Sequence, residues 1–131
     1  MHEPYESRLK HKADFRVKYK FRSPEEGGRK TGEPYQGIRS DFSIQGEEPN
    51  KMYMIWPEFE DAQGNVLLYN DRSVPKSGTA RMWIINEEMR PYHYDKIKVG
   101  LKAYFREGET ISADCEVIEI LDLKINPTKD K

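Results

Sequence analysis

Hydrophobic and polar positions alternate strictly along residues 14–21, D-F-R-V-K-Y-K-F, which predicts a strand. Phe15, Val17, Tyr19 and Phe21 fall on one face, and Arg16, Lys18 and Lys20 on the other. A second alternating run at 38–44 sets Ile38, Phe42 and Ile44 on a common face. Between the two lies a long charged loop, which opens at Ser23-Pro24 and passes Gly27 and Gly28 to the basic pair Arg29-Lys30. Residues 51–56 read as another strand, ended by Pro57. Residues 61–65 read as a hairpin turn into 66–69, and 75–78 as a turn ahead of a strand at 80–85. The stretch 86–95 reads equally as a loop or as one helical turn broken by Pro91. Two strands follow, at 96–106 and 111–121, joined through Glu107-Gly108-Glu109.

Short strands, Gly/Pro turns and the absence of any long helical period predict an all-β fold. The expected form is a closed antiparallel barrel of six to seven strands, since closure removes sheet edges that would otherwise aggregate. The barrel is expected to span 13–123. Residues 1–12, polar and without periodicity, read as a flexible N-terminal arm, and 124–131 as a flexible C-terminal tail.

Composition adds little to this picture until it is read locally. The 131 residues suffice for one domain with a buried core, and a formal net charge of −1 neither demands nor excludes a polyanion. Residues 8–30, however, hold nine Lys/Arg against three acids, whereas 47–71 hold six acids against Lys51 alone. A molecule polarised in charge is expected. Cys115 is the single cysteine, so no internal disulfide forms and a reducing compartment is expected. With no apolar run near the ~18–20 residues of a membrane span and no secretory pattern at residues 1–4, the expectation is a cytoplasmic protein with no membrane partner.

Catalytic patterns are sparse. No G-x-x-x-x-G-K-[ST] phosphate loop occurs, so no nucleotide binding by this chain is expected. His2, His11, His93 and Cys115 lack close ligand spacing, so neither a metal nor another cofactor is expected. A Cys115–His93 nucleophilic pair is conceivable, but a cysteine in an apolar-rich strand reads as a small core residue. Glu107 and Glu109 read as turn acids. The chain is therefore expected to be non-catalytic.

Two blocks carry a family resemblance. Glu26-Gly27-Gly28-Arg29-Lys30-Thr31, followed by Gly37, Arg39, Asp41 and Phe42, resembles the E-G-G-R-[HK]-T loop and G-Y-R-P-[QD]-F strand of the C-terminal β-barrel (domain III) of bacterial elongation factor Tu. Val99-Gly100-Leu101-Lys102-Ala103-Tyr104-Phe105-Arg106-Glu107-Gly108 resembles that family's G-L-R-F-[AS]-[IL]-R-E-G. The blocks stand in the family's order. Ile38 and Ser40 replace its tyrosine and proline, and 109–115 departs from its glycine-rich continuation. The resemblance implies a Greek-key barrel as a stand-alone binding module, without the family's GTPase domain.

In that family the barrel contacts tRNA through backbone phosphates and 2′-hydroxyls. The resemblance thus implies tRNA or structured RNA as a partner, with Arg29, Lys30, Thr31, Arg39 and Arg106 at matching positions. The outward Lys18 and Lys20 extend the set as a basic stripe, or else form an ordinary solvated strand face. The alternative is a protein–protein interaction module, binding a translation-related partner or a second copy. Its candidate contacts are Tyr53, Trp56, Phe59, Tyr69, Tyr92 and Tyr94, since aromatics are enriched at contact hot spots; filling the barrel is the competing role for them.

Overall fold

The computed structural model describes residues 1–30 and 32–128. Six strands dominate: β1 (Phe15–Phe21), β2 (Asp41–Ile44), β3 (Ile55–Phe59), β4 (Ser77–Ile84), β5 (Lys102–Glu107) and β6 (Thr110–Ile120). Two short helices, α1 (Tyr5–Leu9) and α2 (Arg90–His93), and 3-10 turns at Pro24–Glu26 and Glu87–Met89 accompany them. The strands form one antiparallel sheet in the order β2-β5-β6-β1-β4-β3, which places the first strand of the chain in the middle.

β1 follows its sequence pattern, with Phe15, Val17, Tyr19 and Phe21 buried and Lys18 and Lys20 exposed. The inward residues of all six strands pack into one core. At its centre Tyr19, Phe21, Phe59 and Phe105 stack with ring centroids 5.1 to 6.2 Å apart. Such rings bury large apolar areas and add about 0.5–1.5 kcal/mol per pair beyond that burial.

The sheet curls into a half-barrel and does not close, which corrects the expectation of a closed barrel. β2 and β3 are its edges, and they approach through a single bridge, Phe42 to Tyr53, with N–H···O distances of 2.9 and 2.8 Å. Two features occupy the place of a closing seam. Pro57 lies within β3, opposite Met82 on β4, and has no N–H to offer a further strand. The Gln36 amide takes the next ladder position, accepting from the Phe59 N–H at 2.8 Å and donating to the Phe59 carbonyl at 3.0 Å. Pro57 therefore marks an edge strand and not a strand end. The expected hairpin at 61–69 is reduced to one bridge, Glu60 to Val66. Residues 87–93 are helical, with Pro91 in the first turn of α2, where a missing N–H is tolerated.

The N-terminal stretch is packed in this structure. Tyr5 is buried and stands edge-on to Trp83 at 5.8 Å, so α1 covers an outer apolar cluster that includes Ala13 and Trp56. Glu58, 1% exposed, accepts from the Tyr5 N–H at 2.8 Å and the Trp83 indole at 3.0 Å, and meets His2 Nε2 at 2.6 Å. At the other end Asn126 donates to the Lys12 carbonyl and to Asp14, both at 2.8 Å. The sequence gives no periodic sign of either anchor, because both depend on tertiary partners. No helix among the described residues is long and apolar enough to cross a membrane.

Candidate functional site

The loop after β1 is built by its own sequence. Ser23 and Glu26 form a capping box: the Ser23 hydroxyl accepts from the Glu26 N–H, and the Glu26 carboxylate accepts from the Ser23 N–H at 2.9 Å. Gly27 ends this turn at φ 91°, a left-handed conformation natural to glycine. Gly28 meets a different demand: a Cβ there would lie 2.2 Å from the Arg22 carbonyl oxygen. The two glycines thus fold the loop back on β1 and deliver Arg29 to the β5–β6 turn. There Arg29 Nη1 donates to both Glu107 carboxylate oxygens, at 2.8 and 2.9 Å.

Arg29 is a shared wall between two adjoining depressions. One, of about 400 Å³, is lined by Lys20, Arg22, Lys30 and Lys76 together with Glu26 and Glu33. The other, of about 370 Å³, gathers Arg39, Asp41, Arg106 and Glu107. The two resembling sequence blocks therefore meet at one rim. Arg22 is held by Asp114 at 2.8 Å, and Lys76 by Glu33 at 2.7 Å. Lys20 and Lys30 are exposed, and no ion pair holds them among the described residues.

Several candidates are placed otherwise than a phosphate contact requires. Arg106 is 6% exposed; it donates to the Pro49 carbonyl at 3.0 Å and lies 3.4 Å from the Ser43 hydroxyl. A bulge interrupts the β5–β6 register between Phe105 and Arg106. Arg39 lies 4.9 Å over the Trp56 ring. Lys18 faces Glu116 across the sheet at 3.7 Å. Thr31 lies outside the described residues.

The basic stripe of β1 has a structural counterpart. Arg16, Lys18 and Lys20 stand directly opposite Glu119, Glu116 and Asp114 of β6. The acid-rich stretch is likewise matched in space: Glu60 binds Arg16 at 2.9 Å and Arg81 at 2.8 Å, and Glu47 binds Lys96 at 3.1 Å. Burial works against the Glu60 carboxylate, yet hydrogen bonds from Arg16, Arg81 and Thr79 hold its pKa below the usual value. The charge polarity of the sequence is thus largely paired off within the fold.

Of the aromatic candidates, Phe59 is fully buried in the core, which removes it from any surface. Tyr69 and Tyr94 are partly buried against that core. Trp56 packs on the outer cluster beneath Arg39. Tyr53 and Tyr92 come together, ring centroids 5.9 Å apart, and share a groove; Tyr92 is 41% exposed.

Cys115 and His93 line different cavities. Burial pushes the Cys115 thiol far above its ordinary pKa, which leaves it protonated and a poor nucleophile. Among the described residues no group of three or more His, Cys, Asp or Glu could hold a metal ion. No protein-family model matches the chain, and no curated protein matches it.

Proposed function

We propose that this chain is a non-catalytic binding module that holds structured RNA along the rim formed by the loop after β1 and the β5–β6 turn. The observation that carries the reading is the position of Arg29 between two depressions lined by seven Lys/Arg, itself included, against four acids. A broad, shallow, positively charged rim suits A-form RNA, whose minor groove is wide and whose phosphates are regularly placed. Lys20 and Lys30 are the cations at hand for phosphate, while Arg39, 4.9 Å over the Trp56 ring, adds a guanidinium to the rim. Likeness to the C-terminal barrel of elongation factor Tu belongs to this proposal, and the meeting of its two sequence blocks at Arg29 and Glu107 supports it.

The test is fluorescence anisotropy with a labelled RNA hairpin over a salt series, on the wild type and on Lys20→Ala/Lys30→Ala. The double variant should bind more weakly and lose about 0.7–0.9 from the log–log salt slope for each phosphate contact removed. Wild-type protein that fails to bind, or a double variant with an unchanged slope, overturns the reading. Failure of the wild type would favour a protein partner at the Tyr53–Tyr92 face.

A further inference from the structure

A separate groove, about 540 Å³ in volume, lies between the run entering β3 and the helical turns at 87–93. Met52, Tyr53 and Met54 line one side, and Met89, Tyr92 and His93 the other. The chain has five methionines; Met1 is exposed and Met82 is sealed in the core, so the remaining three all converge here. Methionine ordinarily fills gaps in a core, but Met54 is 48% exposed. Met52 and Met54, two apart in extended chain, share a face, and Met89 precedes His93 by one helical repeat of four residues.

His93 supplies a second and independent observation. Its side chain is buried, 1% exposed, between Tyr53 and Tyr92, whose ring centroids lie 4.9 and 5.5 Å away. Its Nδ1 has no hydrogen-bond partner among the described residues. Buried polar atoms are almost always satisfied, so this closed-off nitrogen leaves the His93 ring free to gain a partner by turning toward the groove that the residue lines.

The donor set narrows the ligand's chemistry. Thioether sulfurs and a neutral imidazole are soft to borderline donors, and no carboxylate lines the groove. Asn50, Lys51 and Asn86 also line the groove, but without a carboxylate it serves hard cations such as magnesium and calcium poorly, whereas thioethers select monovalent copper and its analogue silver. We propose that this groove is a soft-metal site, taking one monovalent copper or silver ion on Met52, Met54 and Met89 with the imidazole of His93. Burial keeps that ring in the neutral, ligating form at physiological pH. The nearby Lys96 ammonium is engaged by Glu47 and the Tyr92 hydroxyl.

The test uses the Cys115→Ser protein, so that thiol binding does not contribute, titrated without oxygen with copper(I) held by a chromophoric chelator and, in parallel, with silver(I). One equivalent should leave the chelator. The methyl NMR signals of Met52, Met54 and Met89 should shift, and those of Met1 and Met82 should stay. Met52→Leu/Met54→Leu, close in volume, should keep the melting temperature and lose at least tenfold in affinity. The proposal is overturned if no metal leaves the chelator, if metal binds with the Met52 and Met54 methyls unmoved, or if the double variant binds as tightly as its parent. RNA binding at the Arg29 rim is scored separately and has no bearing on this result.

Discussion

Arg29 and Glu107, 78 residues apart in the chain, meet through one guanidinium nitrogen placed 2.8 and 2.9 Å from the two carboxylate oxygens. The pair ties the loop after β1 to the β5–β6 turn and keeps an arginine of the rim engaged. Its side chains are 24% and 33% exposed, so its worth to stability is about 0.2–1 kcal/mol. A double-mutant cycle of Arg29→Ala and Glu107→Ala, followed by urea unfolding, should return a coupling in that range. Glu107→Gln should also release Arg29 to the ligand and tighten RNA binding. Unchanged or weaker binding in that variant would mean that Arg29 serves the fold alone.

Gly28 is a stronger point of the same loop. Because a Cβ would lie 2.2 Å from a backbone oxygen, Gly28→Ala must displace the loop or β1. A loss of roughly 1–3 kcal/mol is expected, in the range of an overpacked site. Gly27→Ala meets no atom within 4 Å but keeps the left-handed strain, for a loss of about 1 kcal/mol. Thermal unfolding should rank the two variants in that order; equal melting temperatures would refute the close approach.

Asp14 and Arg90 are both wholly buried, 3.0 Å apart. Asp14 also accepts from the Ile84 N–H at 2.7 Å and from Asn126 at 2.8 Å, so three segments converge on one carboxylate. Asp14→Ala strands a buried guanidinium and should cost about 3–5 kcal/mol. Asn126→Ala removes one hydrogen bond and should cost about 1 kcal/mol. Urea midpoints at constant slope check both values, and a mild Asp14→Ala would show that water reaches Arg90.

His93 sets an acid limit on stability. Burial, with the charges of Lys96 and Arg90 set against that of Glu47, lowers its pKa from 6.5 to about 4. The unfolded chain therefore takes up a proton before the folded one does. The stabilisation is complete above pH 6.5, shrinks as pH falls and is gone below pH 4. The total is roughly 3 kcal/mol. Glu60 and Asp114, whose pKa values are lowered, contribute their own losses only below about pH 4.5. Unfolding measured at pH 7 and pH 5 should show the loss in the wild type and a much smaller one in His93→Phe.

Sequence and fold agree best where periodicity is decided locally. β1 was legible because every inward residue is large and apolar and every outward one charged. Its outward partners were not legible: Asp114, Glu116 and Glu119 face it only through a register between strands that the sequence does not state. The same limit hid the docking of residues 1–12, where Tyr5 needs Trp83 and His2 needs Glu58, each more than 50 positions away. Arg106 was a candidate only through its place in the resembling block, and nothing local in the sequence shows that the chain at Pro49 covers it. At Pro57 a residue that ends central strands was read as a terminus when it lies on an edge.

The central place of β1 has a consequence for biosynthesis. Both of its neighbours, β4 and β6, lie far downstream, beginning at Ser77 and Thr110. At a synthesis rate of roughly 5–20 residues per second, this central strand leaves the ribosome seconds before either partner exists. The sheet is therefore complete only when the last strand arrives, and a nascent chain stalled before β6 leaves one side of β1 unpaired as a handle for chaperones.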